Sequence, residues 1–132
     1  MTELTSEMKD MLKNQLPYLA TSGADSKPQV GPKGLLHVLD DSHLIYFEHT
    51  FRHAYTSLKA NPQAAVAVAD RVAQKGFRFE GTAHIHENDD YANEILGKTK
   101  IFDQFPRAGV VVIDVEQIFK LDNTLEAGTQ LA

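Results

Sequence analysis

The chain is predicted to be mainly β, a closed or nearly closed antiparallel barrel with a few flanking helices, and three features of the sequence carry that prediction. Short apolar or alternating runs recur between clusters of glycine, proline, aspartate and serine, the pattern of strands joined by tight turns. The run Gly76 to His86 alternates, with Phe77, Phe79, Gly81, Ala83 and Ile85 on one face and Arg78, Glu80, Thr82, His84 and His86 on the other. Few helical stretches intervene between the runs, which favours sequential antiparallel pairing over a parallel sheet with crossover helices.

Each element has its own signal. Leu4, Met8, Met11, Leu12 and Leu16 fall at helical spacing, with Thr5 as N-cap and Pro17 as the stop. Tyr18 to Thr21 reads as a strand, and Ser22 to Pro28 as a hairpin connection. Gln29 to Val30 and Leu35 to Leu39 are the next strands, with Gly31-Pro32-Lys33-Gly34 interrupting regular pairing between them. Leu44 to Phe47 follows the Asp40-Asp41-Ser42 turn. Thr50 can cap a helix from Phe51 to Ala60, which Asn61-Pro62 ends. After the strands Ala64 to Ala69 and Gly76 to His86 comes a helix near Asp89 to Leu96. The continuous apolar run Gly109 to Val115 then reads as a strand buried on both faces, its second face suggesting a subunit interface.

The 132 residues suit one domain, spanning 1–132, with one core. With 42% hydrophobic and 23% charged residues, the composition argues against disorder. A net charge of −5 disfavours nucleic acid and anionic membrane surfaces as partners, so any bound anion must meet a local cluster of bases. The absence of cysteine excludes disulfides, thiolate metal sites and thiol nucleophiles. Met1 to Asp10 lacks the basic-then-apolar pattern of a signal peptide, which makes the cytoplasm the expected compartment.

Chemistry concentrates in few places. Thr50-Phe51-Arg52-His53 sets two bases at a helix N-terminus, where the helix dipole opposes them unless an anion is bound. A phosphate site fits that arrangement, and so does a solvated Arg52 or one bonded to a nearby acid. Lys33, between Gly31-Pro32 and Gly34, sits where backbone can approach a flat ligand and offer N–H groups, though an ordinary turn explains the same residues. His84 and His86 share a strand face, but no third ligand accompanies them, and no metal is expected. His37, His43 and His49 have no defensible partner spacing. The pairs Asp40-Asp41 and Asp89-Asp90 read as caps and turns. Nucleophile elbow, P-loop and dinucleotide fingerprint are all lacking.

Taken in order, Tyr18-Leu19-Ala20-Thr21, Lys27-Pro28-Gln29-Val30, Gly31-Pro32-Lys33-Gly34, Arg52 through Pro62 and Phe79-Glu80-Gly81-Thr82-Ala83 resemble the pyridoxamine 5′-phosphate oxidase-like family of FMN-binding split barrels. The likeness is close from Leu16 to Ala83 and looser over Val110 to Phe119. It implies a six-stranded split barrel, a homodimer, and two FMN molecules at the subunit interface. In the short-chain branch of the family the corresponding lysine and a helix-start base lie near the flavin; these fall on Lys33 and His53. The helix base is usually lysine, so His53 is a departure, and Arg52 can supply the missing charge. The C-terminal Leu125 to Ala132 carries no arginine or histidine, unlike the substrate-contacting segment of true pyridoxamine phosphate oxidases.

The resemblance thus implies FMN as cofactor, and the residues expected to hold it are Gly31, Pro32, Lys33, Gly34, Thr50, Phe51, Arg52 and His53, with Arg78 reaching across the dimer. It implies a flavin-dependent oxidoreductase acting on a small molecule. A carrier or sensor of FMN, a deazaflavin or haem is the alternative, and a barrel that has lost its cofactor is a third.

Overall fold

The computed structural model describes residues 2–132. Its first element, α1 (Ser6–Asn14), begins where Thr5 accepts a hydrogen bond from the Met8 amide at 3.3 Å, while the Met8 sulfur accepts from the Thr5 amide at 3.4 Å. This reciprocal cap satisfies donors that a helix start leaves free. Met8, Met11 and Leu12 bury the helix in the main core. Leu16 lies beyond the helix end and is 48% exposed, so it does not continue the buried stripe.

The sheet consists of β1 (Tyr18–Ser22), β2 (Pro28–Pro32), β3 (His37–Asp40), β4 (His43–Glu48), β5 (Gln63–Asp70), β6 (Lys75–His86) and β7 (Gly109–Lys120). Their spatial order is β2-β1-β5-β6-β7-β4-β3, and every ladder is antiparallel. Seven strands therefore replace the six that the family likeness implies, because both short edge strands form ladders of their own: β2 along its whole length on β1, and β3 on β4. No ladder joins β2 to β3. The segment Lys33 to Leu36 crosses between these two edges, so the break expected at Gly31 to Gly34 falls at the split of the sheet. Gly31 and Pro32 themselves still pair with β1, and β3 begins two residues later than Leu35.

Alternation decides what each strand buries. Leu19, Leu44, Tyr46, Val66, Phe79, Val111 and Ile113 come from five strands and belong to one core cluster, which requires the sheet to curl around them. The expected two faces of β6 are observed, with a register shift between Glu80 and Gly81. A Cβ on Gly81 would sit 1.7 Å from the Asp114 carbonyl oxygen, so only glycine fits that irregularity.

The other face of β4 and β7 is covered from within the chain. The helix α2 (His53–Ala60) precedes β5; α3 (Asp90–Gly97) and α4 (Ile101–Gln104) precede β7. Asp89 caps α3, accepting from the Ala92 amide at 2.7 Å. Ala92, Leu96 and Ile101 then pack with Ile45, Ala108, Val110 and Val112 in a second cluster. This corrects the interface reading of the Gly109 to Val115 run: both its faces are filled by the chain itself, and Val111 points into the main core. Among the described residues no helix is long and apolar enough to cross a membrane.

Candidate functional site

The site begins at the end of β4. Leu44, Tyr46 and Glu48 occupy successive inward positions of that strand, which carries an acid, 1% exposed, to the mouth of the core. Glu48 Oε2 accepts from the Thr50 amide (3.0 Å), the Thr50 hydroxyl (3.1 Å) and the Phe51 amide (3.1 Å). Those bonds fold the chain sharply, and Phe51 adopts the left-handed region with φ of 53°. Its ring is held edge-on to Tyr55 at 4.9 Å and beneath the Arg107 guanidinium at 3.7 Å.

Arg107 is in turn fixed by two bonds to Glu87, at 2.5 and 2.9 Å, and Tyr55 donates to the same carboxylate at 3.2 Å. The Arg107 hydrogen bond, opposed by partial burial and aided by the Tyr55 hydroxyl, holds the Glu87 carboxyl below the usual carboxylate range.

Because Thr50 and Phe51 are drawn toward Glu48, α2 starts at His53 rather than Phe51. Thr50 is not its cap: the N-cap position is Arg52, which makes no side-chain capping bond. The positive end of α2 thus carries Arg52 and His53, both exposed, without a carboxylate to neutralise it.

Lys33 lies across the split. Its amide donates to the Pro17 carbonyl at 2.9 Å, so that N–H is not free for a ligand as the sequence suggested; its Nζ stands over the Tyr46 ring, 5.1 Å from the centroid. Three clefts adjoin here. One of about 460 Å³ is lined by Lys33, Tyr46, Glu48 and Thr50, one of about 170 Å³ by Thr21, Gly31, Lys33 and His53, and one of about 450 Å³ by Lys27, His53, Thr56 and Ser57. Lys33 and His53 are shared between neighbours, so the clefts form one groove from Thr50 to Lys27. Among the described residues, Lys27, Lys33, Arg52 and His53 have no carboxylate within ion-pair distance. A Cβ on Gly31 or Gly34 would meet nothing within 4 Å, so both glycines keep space open.

The structure therefore brings together Gly31, Pro32, Lys33, Gly34, Thr50 and His53, with Phe51 and Arg52 at the helix start. It does not bring Arg78 to them. That side chain bonds to Glu80 at 2.6 Å and stacks on Phe119 at 4.4 Å, on the outer face of the sheet. The histidines are otherwise engaged: His84 with Asp114 at 2.8 Å, His86 with Asp89 at 2.9 Å, and His43 with both Asp40 (2.7 Å) and Asp114 (3.2 Å). Among the described residues no group of three or more acids or histidines could hold a metal.

A further cleft, about 540 Å³, lies between α1 and β3, beyond Gly34 and Leu35. Of its two lysines, Lys9 is paired with Asp41 and Lys13 has no ion-pair partner among the described residues, whereas four unpaired bases, Lys27, Lys33, Arg52 and His53, gather at the other groove. Sequence reading missed Tyr46, Glu48 and the Arg107 clamp. The available signal was Glu48 standing in phase with Leu44 and Tyr46, an acid at a core position.

The pyridoxamine 5′-phosphate oxidase family model matches residues 4–122. The chain belongs to that family. A crystal structure of a candidate pyridoxamine 5′-phosphate oxidase from Lactobacillus delbrueckii is 44% identical, with a TM-score of 0.83, covering 90% of this chain and 95% of its own. HupZ of Group A Streptococcus is 33% identical with a TM-score of 0.83, covering 98% and 99%. An uncharacterised protein of Methanocaldococcus jannaschii is 27% identical over 98% of this chain and 89% of its own length. The matched segment contains every residue of the groove described above.

Proposed function

We propose that this family member binds FMN in the groove between Lys33 and α2 and serves as a cytoplasmic flavin-dependent oxidoreductase acting on a small molecule. The observation that carries the reading is the set of bases without acid partners, Lys27, Lys33 and His53 lining one groove and Arg52 beside His53 at the start of α2, in a chain whose net charge is −5. Such a set is destabilising when empty and favourable around a phosphate.

The residues present fit that cofactor. The first turn of α2, uncapped by any side chain, offers amide donors to an anion, and Arg52, His53 and Lys27 surround that end with charge. Gly31 and Gly34 leave room for a ring, beside which Lys33 supplies a cation. Thr50 and Phe51 act by shaping the turn through Glu48. Bound FMN would supply the hydride or electron transfer that no side chain here can perform.

A homodimer is part of the proposal. Rows Tyr18–Ala67–Arg78–Phe119 and Val30–Ala20–Ala65–Glu80 run across the outer face of β2, β1, β5, β6 and β7, with alanines at the centre and Tyr18 and Val30 exposed at the side. A second copy packed on this outer face would shield the open groove, and Arg78 would reach the groove only from that copy.

The test is the visible spectrum of the purified protein, then titration with FMN, then anaerobic addition of NADH or NADPH. Flavin absorbance that the donor bleaches supports the oxidoreductase. Bound flavin that neither donor reduces favours the carrier or sensor of FMN, deazaflavin or haem. A colourless protein indifferent to FMN sinks the cofactor assignment.

A further inference from the structure

The groove wall beside Lys33 contains two polar side chains that the chain leaves unfinished. Tyr46 and Glu48, 0% and 1% exposed, stand at successive inward positions of β4, and neither the Tyr46 hydroxyl nor Glu48 Oε1 has a hydrogen-bond partner. Buried polar atoms are rarely left unpaired, because desolvation is then uncompensated. Thr21 Oγ1, also unpaired, lines the adjoining part of the groove.

The two atoms have defined hydrogen-bonding senses. Three donors converge on Glu48 Oε2, which fixes the carboxyl group and leaves the buried Oε1 as an unpaired acceptor. Burial, and secondarily the neighbouring Glu48 charge, push the Tyr46 phenol far up, so it remains a hydroxyl able to donate. Both residues line the cleft of about 460 Å³. On the groove side Lys33 Nζ stands over the Tyr46 ring, and this long side chain is held by no carboxylate and so able to move aside.

We propose that Glu48 Oε1 and the Tyr46 hydroxyl form a recognition pair for an –NH–C(=O)– edge of the bound ligand, Glu48 accepting from its N–H and Tyr46 donating to its carbonyl. This rests on the reading that the groove takes FMN, whose ring carries an imide N–H between two carbonyls. It makes β4 the element that selects the ring, while the start of α2 holds the phosphate.

Glu48→Gln tests the pair by reversing one partner. The same three donors require the amide oxygen at the Oε2 position, which sets the amide NH2 where the free acceptor was. Wild type and E48Q are titrated with FMN and with N3-methyl-FMN, following flavin fluorescence. Wild type is expected to prefer FMN by about tenfold or more, and E48Q to lose that preference. Equal binding of both flavins by wild type, or an undiminished preference in E48Q, overturns the pair, since exclusion by size alone would persist in the variant. Binding of neither flavin by wild type overturns the FMN reading together with the pair.

Tyr46→Phe keeps the test decisive should E48Q fail to fold. The ligand-free variant is expected to melt no lower than wild type, because it loses an unpaired buried hydroxyl, while its FMN affinity falls severalfold. Unchanged FMN affinity would overturn the assignment of the hydroxyl.

Discussion

Arg52 and His53 carry the same nominal charge into the same end of α2 but differ in constancy. A guanidinium stays charged at all relevant pH, whereas an imidazole contributes only when protonated. Arg52→Ala is therefore expected to weaken FMN more than His53→Ala near neutral pH; equal or reversed losses in a fluorescence titration would refute it. Glu87 makes a different prediction. Its folded-state pKa lies below that of the unfolded chain, so its contribution to stability is present above the ordinary carboxylate range and lost as pH falls through the lowered value. Glu87→Gln should melt below wild type at neutral pH, and the two curves should converge in acid.

Elements set these residues in place. The β4 to α2 turn exists because a buried carboxylate gathers the Thr50 and Phe51 donors, and Arg107, from the segment before β7, clamps the resulting left-handed residue. The helices α3 and α4 matter for stability, since they close the second face of β4 and β7. Leu96, 2% exposed in that cluster, should cost about 2–5 kcal/mol when changed to alanine, measured by urea unfolding. Val111 belongs to the main core, so Val111→Asp is expected to abolish folding rather than to separate folded subunits.

For the whole molecule, the question is what the outer face of the sheet meets. Light scattering should find a dimer, and Ala67→Glu, at the centre of that face, should yield folded monomers with weaker FMN binding. A wild-type monomer that binds FMN normally would remove the dimer from the proposal. The split between β2 and β3 gives this face its importance, because the groove opens there and a single copy leaves it facing solvent.

Much of the architecture was legible in the chain. Period-two alternation marked β6, helical spacing and Thr5 marked α1, and Asp89 marked α3, because these signals are local and act through neighbouring backbone. The bases at Arg52 and His53 and the glycines around Lys33 were legible for the same reason. What escaped was decided by contacts between distant segments: Glu48 displaced Thr50 as the organiser of the turn, Pro17 claimed the Lys33 amide, and α3 and α4 filled the face that an apolar run alone assigns to a partner. Local sequence determines which backbone conformations are favourable. Only tertiary structure decides which buried donor meets which acceptor, because those partners are far apart along the chain and come together only when the sheet curls.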